Sequence, residues 1–215
     1  MTKKEKVEQI LILLKEHYGP TKCYLDHENP WQLLIATILS AQCTDDRVNI
    51  VTKDLFQKYK SVKDFAEADL KELEKDIHST GFYHNKAKNI IACCQRLLME
   101  HDGGIPSDLE ELTALAGVGR KTANVVRGNW YGIPSIVVDT HVKRLSNLLG
   151  LTKNHDPVKI EFDLMKIVPK DKWIEINTQL IAHGRKVCVA RRPKCNECFL
   201  LEYCVGGQKL QKAKK

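Results

Sequence analysis

The sequence predicts an all-α protein. Apolar residues recur at helical spacing over most of the 215 residues, a length that is enough for one large or two small domains. The only strand-like run, "SIVV" at 135–138, is too short and too isolated to indicate a sheet. The apolar content of 43% can form a buried core. No apolar run approaches the ~18 residues of a membrane span.

Stripes of apolar residues and their boundary signals predict the individual helices. The first helix has an apolar stripe that stops at Gly19 and Pro20. The second begins with Asn29 as its cap and Pro30 as its first residue. A basic segment, 209–215, is expected to be a frayed tail. The remaining predicted helices cover 45–59, 61–66, 68–77, 84–101, 108–115, 120 to about 132, 140–149, 157–167 and 171–183.

The charge of the chain is moderately basic. Its 34 Lys and Arg against 27 Asp and Glu give a net charge of +7. This excess fits a polyanionic partner, although many basic proteins bind nothing acidic. The N-terminus, "MTKKEKVEQI", lacks the hydrophobic segment of a signal peptide. We therefore expect a cytosolic protein without a membrane partner.

Four of the eight cysteines fall close together near the C-terminus. They are separated by gaps of six, two and five residues. In a reducing compartment such a quartet indicates a metal site and not disulfides. The spacing alone fits either zinc or an iron–sulfur cluster. The four are Cys188, Cys195, Cys198 and Cys204.

The segment 115–123, "LAGVGRKTA", predicts a tight turn between two helices. Gly117 and Gly119 let the backbone turn sharply and let an anion approach without obstruction by Cβ. Unpaired amides at the start of the second helix would suit a phosphate. An ordinary turn between helices is the alternative for the glycine pair alone. The amides predicted to bind phosphate are those of Val118, Gly119 and the following residues, including Arg120 and Thr122.

Lys121 and Asp139 are the candidate catalytic residues. Lys121 is predicted to face away from the apolar stripe of its helix, formed by Ala123, Val126 and Trp130. The helix N-terminus and a neighbouring arginine both disfavour the protonated amine, which favours a nucleophilic lysine. Asp139 stands at a predicted helix start, where a carboxylate stays ionised and can stabilise a nearby cation.

These motifs together resemble the endonuclease III branch of the helix-hairpin-helix DNA glycosylases. The resemblance covers nearly the whole chain, in the order "LLIATILSAQCTDDRVN", "STGFYHNKAKNI", "LAGVGRKTANVV", "VDTHVKRLSNLLGL", "LIAHGRKVC" and the cysteine quartet. It implies two helical domains that flank a DNA-binding cleft. One would be a six-helix domain with the hairpin, at 23–133. The other would join 1–22 to 134–215 and hold a [4Fe–4S] cluster on the four cysteines.

The resemblance also implies the activity. The protein would be a bifunctional DNA N-glycosylase and apurinic/apyrimidinic (AP) lyase of base excision repair, removing oxidised pyrimidines. Lys121 would attack the sugar and form a Schiff base, and Asp139 would stabilise the cationic transition state. The partner would be double-stranded DNA with a damaged base or abasic site. We expect a monomer in the cytoplasm of a prokaryote, associated with the nucleoid.

Further DNA contacts carry over from the same resemblance. Gln42 would fill the gap left by the flipped base, and Phe82 would be a wedge in the base stack unless it packs inward. His84 replaces the asparagine of some relatives, so its contact is a weaker prediction. A basic loop between the first two clustered cysteines would contact the DNA backbone through Arg191, Arg192 and Lys194.

Two other functions remain open from the sequence. A non-catalytic DNA-binding module could use the hairpin and the metal site, but it would need neither Lys121 nor Asp139. An adenine-specific glycosylase typically lacks the lysine and carries a further C-terminal domain. We expect no such domain, because only 11 residues follow Cys204.

Overall fold

The computed structural model describes residues 2–213, and its regular structure in this range is entirely helical. The prediction of an all-α fold is confirmed. None of the helices in the described range is both long and apolar enough to cross a membrane. The α-helices are α1 (Lys3–Tyr18), α2 (Pro30–Leu39), α3 (Asp45–Lys58), α4 (Val62–Ala66), α5 (Leu70–Asp76), α6 (Tyr83–His101), α7 (Leu109–Thr113), α8 (Arg120–Asn129), α9 (Thr140–Leu148), α10 (Pro157–Ile167), α11 (Trp173–Lys186) and α12 (Val205–Lys212).

The chain divides into two compact units. The continuous unit spans Cys23–Ile133 and contains α2 to α8. The split unit combines the residues up to Lys22 with those from Pro134 onward, and so contains α1 and α9 to α12. Each unit has its own cluster of buried apolar side chains. The hairpin belongs to the continuous unit, and the cysteine quartet to the split unit.

Helix α2 forms the centre of the continuous unit. Every residue from Gln32 to Leu39 is buried, because this helix is apolar on all sides and other helices surround it. Helix α6 buries one face, including Ala87, Ile90 and Leu97. Both members of the pair Cys93 and Cys94 are buried in this core, and burial raises the pKa of Cys93 to about 12. These two thiols are therefore core residues.

The core of the split unit is built on α1, which buries Val7, Ile10 and Leu14. Helices α9, α10 and α11 also contribute to the cluster, and its remaining residues, such as Leu151 and Leu200, come from segments between the α-helices. The run predicted to be strand-like at 135–138 is buried and extended, but it belongs to no sheet in the described chain. Its Ser135 carbonyl accepts a hydrogen bond from Asn177 Nδ2 at 2.9 Å.

Two expectations are wrong in detail. The basic tail is not frayed throughout, because 209–212 belong to α12. This helix is capped by Cys204, whose Sγ accepts from the Gly207 amide, and it packs closely on α9 through Gly206 and Leu148. Lys214 and Lys215 lie outside the described residues. Trp130 is 40% exposed and so contributes little to the apolar stripe of α8.

Candidate active site and metal centre

The turn between α7 and α8 is fixed by contacts on both sides. Leu115 and Val118 bury their side chains in the core of the continuous unit. Gly117 adopts a φ of +74°, which L side chains rarely take. The Val118 amide donates to the Leu115 carbonyl at 3.2 Å. The expectation that Val118 offers an unpaired amide is therefore wrong, since the turn itself uses that donor.

The two glycines of the turn have different surroundings. A Cβ on Gly117 would lie 2.8 Å from Cβ of Asn89 on α6, so the turn packs directly against that helix. A Cβ on Gly119 would meet nothing within 4 Å. Gly119 is also exposed and is the N-cap of α8. Gly117 thus serves the packing of the turn, and Gly119 leaves an open approach to the start of α8.

Lys121 is exposed in the first turn of α8. Ala123 and Val126 are fully buried on another face of the same helix, as the apolar stripe predicts. Arg120 and Thr122 flank the lysine and are each half-buried. The lysine amine therefore projects into solvent beside a helix N-terminus, where a substrate can reach it.

Two of the α-helices in the continuous unit begin without a side-chain cap. Gly119 has no side chain to cap α8, and Phe82 makes no capping hydrogen bond to α6. First-turn amides have no partner within their own helix, so an uncapped N-terminus can bind an anion such as a phosphate. The other five α-helices of the unit are capped by Asn29, Thr44, Ser61, Asp69 and Asp108.

The residues predicted to enter the DNA, Gln42 and Phe82, share an unusual backbone. Their φ angles are 55° and 49°, in the left-handed region, where a non-glycine residue costs about 1–2 kcal/mol. Gln42 is exposed, and Phe82 is 61% exposed. Phe82 therefore does not pack inward. Both side chains point into solvent from loops that hold a costly conformation.

His84, the third predicted contact in this region, already has a protein partner. Its Nδ1 lies 2.9 Å from Oε1 of Glu74 on α5. The imidazole remains 63% exposed. The negative charge of the Glu74 carboxylate repels a DNA phosphate. A contact between His84 and the DNA backbone is therefore less favourable than one made by Lys121 or Arg120.

Asp139 is the N-cap of α9 in the split unit. Its Oδ1 accepts from the Val142 amide at 2.7 Å, and the residue is half-buried. Asp139 therefore caps α9, as the sequence predicts.

The four clustered cysteines line one cavity in the split unit. The other walls of this cavity are mostly apolar side chains of α9, α12 and the cysteine loop. No three His, Cys, Asp or Glu side chains among residues 2–213 are gathered closely enough to ligate one metal ion. The donor set, four cysteine thiols, is that of a [4Fe–4S] cluster.

Burial disfavours the ionised form of three of these thiols. Burial raises the pKa of Cys188, Cys198 and Cys204, and that of Cys198 reaches about 11. Thiolates are the ligating form, so cluster binding would displace these protons. Arg144 opposes the shift at Cys188, and its Nη2 donates to the Cys188 carbonyl at 2.6 Å.

The basic loop between Cys188 and Cys195 is exposed. Arg191, Arg192 and Lys194 all lie on its surface. The loop is closed at its base by the Lys194 amide, which donates to the Val187 carbonyl at 3.0 Å. Three cationic side chains are therefore presented from a loop whose ends are held together.

Comparison with known proteins identifies the family. Residues 35–170 match the model of the HhH-GPD superfamily of base excision DNA repair proteins. Residues 188–204, which begin and end at clustered cysteines, match the iron–sulfur binding domain of endonuclease III.

The chain belongs to the HhH-GPD superfamily. It is 52% identical to endonuclease III of Synechocystis sp., over 96% of this chain and 95% of that protein. A solved non-covalent endonuclease III–DNA complex superposes with a TM-score of 0.95 at 44% identity, covering 99% of this chain and 100% of the other. A trapped endonuclease III–DNA covalent intermediate, an estranged-adenine complex, gives 0.94 at 44% identity, with 98% and 100% coverage.

These matches confirm the family predicted from the sequence motifs. The chain is a base excision repair enzyme of the endonuclease III branch, a DNA glycosylase with AP lyase activity. It carries a [4Fe–4S] cluster, which decides between the two metals that the cysteine spacing left open. Duplex DNA is its partner.

Three residues that support the site were missed in the sequence. Lys86 is a buried lysine on the inner face of α6, Asn89 packs under the hairpin, and Arg144 holds the start of the cysteine loop. The burial of Lys86 could have been predicted, because it precedes Ala87 and stands one turn before Ile90 on an otherwise apolar face. Nothing in the sequence pattern distinguishes Asn89 or Arg144 from ordinary polar helix residues.

The two glycines of the hairpin give a matched test. Gly117→Ser should lower the free energy of unfolding by about 1–3 kcal/mol, because it forces a side chain onto a positive φ and against Asn89. Gly119→Ser should change it by less than about 0.5 kcal/mol, since the site is open and serine is a good N-cap. Urea unfolding measures both. Gly119→Ser should instead weaken duplex binding, because its hydroxyl caps the amides that a phosphate would use. Equal losses of stability in the two variants would contradict this division.

Proposed function

We propose that this enzyme removes oxidised pyrimidines from duplex DNA and cuts the strand through a Schiff base on Lys121. The observation that carries the proposal is the position of Lys121. It is exposed in the first turn of α8, directly after a glycine turn and at a helix start without a capping side chain. A phosphate bound at that N-terminus would fix the DNA backbone within about one side-chain length of the amine.

The damaged nucleotide must first leave the base stack, because its sugar is out of reach within a duplex. Gln42 would fill the gap that the flipped base leaves, and Phe82 would enter the stack as a wedge. Their outward side chains support these roles. Gly117, Gly119, Arg120 and Thr122 would hold phosphates at the hairpin, and Val118 would contribute through the shape of the turn and not through its amide.

The chemistry then proceeds at C1′. The neutral Lys121 amine attacks C1′, the glycosidic bond breaks, and its electron pair leaves with the base, which takes up a proton. The attacking nitrogen gives up one proton, which the departing base takes. The bond between C1′ and O4′ then breaks, O4′ takes up a proton from water, and the nitrogen lone pair forms the C=N bond of a protonated Schiff base. Removal of a C2′ proton expels the 3′ phosphate by β-elimination. Water finally hydrolyses the imine and regenerates Lys121.

Asp139 would stabilise the positive charge that develops on the sugar as the base departs. Its carboxylate lies at the N-terminus of α9, within reach of the helix's first amides. It would also orient or deprotonate the nucleophile. An adenine-specific or purely DNA-binding protein would not need an exposed lysine beside the hairpin, so Lys121 favours the lyase over both alternatives.

Cys188, Cys195, Cys198 and Cys204 would hold the [4Fe–4S] cluster, since all four line one cavity. The cluster would supply cross-links that shape the basic loop. Arg191, Arg192 and Lys194 on that loop would neutralise DNA phosphates without reading sequence. We further propose that the protein works as a monomer in a bacterial cytoplasm, on the nucleoid.

Lys121→Gln should abolish both borohydride trapping and strand cleavage on duplex with an abasic site, because a glutamine amide cannot form a Schiff base. Duplex affinity should change by less than about threefold, since backbone contacts come from many groups. Gel electrophoresis of the trapped adduct and a filter-binding assay measure these effects. Lys4→Gln is the control, because Lys4 is also exposed and also the second residue of its helix, α1. Trapping that survives in Lys121→Gln would overturn the proposed role.

Asp139→Asn should distinguish the helix-capping role of Asp139 from its role in base removal. Asparagine caps a helix about as well as aspartate, so the free energy of unfolding should change by less than about 1 kcal/mol. The loss of the negative charge should slow base removal by about a hundredfold or more. Asp156→Asn is the control, since Asp156 caps α10 through its Oδ1 at 2.9 Å from the Lys159 amide. A rate for Asp139→Asn within a factor of about three of the control would contradict the proposed role of the carboxylate.

A further inference from the structure

A buried lysine connects the two loops that carry Gln42 and Phe82. Lys86 lies in the first turn of α6 and is only 5% exposed. Its Nζ donates to the Leu39 carbonyl at 2.8 Å and to the Thr80 carbonyl at 2.8 Å. Its backbone amide donates to the Phe82 carbonyl at 3.1 Å. One residue thus binds two segments whose sequence positions differ by about forty residues.

Both carbonyls belong to the last residue before a loop. Leu39 ends α2, three residues before Gln42, and Thr80 ends a 3-10 turn, two residues before Phe82. The last carbonyls of a helix have no partner within it and need one from elsewhere when they are buried. The ammonium group of a lysine has three donors, so a single Nζ can satisfy two such carbonyls at once.

Each of these loops holds its exposed residue in a disfavoured backbone conformation. Among the described residues, Gln42, Phe82 and Asp102 are the non-glycine residues with positive φ. Asp102 is the C-cap of α6, where a left-handed residue is common. Neither Gln42 nor Phe82 is the C-cap of a helix. Such conformations persist where the surrounding structure over-determines them.

We propose that Lys86 is a positioning residue for base extrusion, which holds the loops of Gln42 and Phe82 in one fixed arrangement so that both side chains enter the base stack together. This inference rests on the function proposed above for Gln42 and Phe82. By fixing both loops before DNA binds, Lys86 removes the entropy that their ordering would otherwise cost at each binding event. This saving in entropy strengthens binding only to DNA with a flipped nucleotide, because the two side chains cannot enter an intact duplex.

Lys86→Met tests the proposal, because methionine is apolar and of similar length but donates no hydrogen bond to the two carbonyls. Affinity for a duplex with a tetrahydrofuran abasic analogue should fall by about tenfold or more, while affinity for the undamaged duplex should change by less than about twofold. Amides of 41–43 and 81–83 should exchange hydrogen faster, with no matching increase in the interior of α2.

Lys88→Met is the matched control. Lys88 stands two residues further on the same helix and is exposed. Its substitution removes the same charge and should alter both affinities by the same factor, or neither, with no faster exchange in the two loops. An equal loss of both affinities in Lys86→Met, or unchanged exchange in the loops, would overturn the proposal.

If Lys86→Met does not fold, Lys86→Gln, whose amide can satisfy one carbonyl, is measured in the same way and judged by the same outcomes.

A double-mutant cycle separates this inference from the roles of the two loop residues. Gln42→Ala and Phe82→Ala should each weaken abasic-duplex binding in the parent protein, and should do so less in the Lys86→Met background. If neither alanine variant affects binding in the parent, the proposed roles of Gln42 and Phe82 are wrong. The proposed role of Lys86 in base extrusion is then wrong too, even if Lys86→Met speeds hydrogen exchange in the two loops. If both do but their effects are additive with Lys86→Met, only the inference about Lys86 is overturned.

Discussion

The contact between Gly117 and Asn89 is the constraint on which the active region of the continuous unit depends. It leaves no space for a Cβ at the turn, since an added carbon would lie 2.8 Å from Asn89 Cβ. Helix α6 therefore sets where the turn can be, and the turn sets where α8 starts. Because Lys121 lies in the first turn of α8, its position follows from that contact. Arg96 of α6 adds a hydrogen bond to the Ala114 carbonyl at 2.5 Å, on the other side of the turn.

The same helix also fixes the loops on which base extrusion depends. Lys86, one turn before Ile90, binds the end of α2 and the turn before Phe82. Helix α6 thus contacts the hairpin through its middle and the two exposed loops through its start. At 19 residues, α6 is also the longest helix of the unit.

In the split unit, α9 has a comparable double role. Asp139 begins the helix, and Arg144, in its second turn, donates to the carbonyls of Gly184 at 3.2 Å and Cys188 at 2.6 Å. The carboxylate and the start of the cysteine loop are therefore held by one rigid element. Lys6 of α1 adds a hydrogen bond to the Leu149 carbonyl at 2.5 Å, just beyond the end of α9.

Local pattern was enough to predict most helices and the outward direction of Lys121, because both follow from residues within a few turns of each other. Contacts between distant segments were not predictable in this way. His84 pairs with Glu74 of another helix, and α12, which includes 209–212, packs on α9. Lys86 is the clearest case, since its two acceptors are 47 and six residues away in the chain.

The most direct test of the central claim is to locate the covalent bond. The native holoenzyme is trapped with borohydride on a duplex with one abasic site, digested with trypsin and nuclease, and mapped by mass spectrometry. Trypsin does not cut after a modified lysine, so the adduct should be found on the peptide "KTANVVR", which spans 121–127, with the added sugar on its first residue. An adduct on the N-terminal peptide, or on any lysine other than Lys121, would contradict the account.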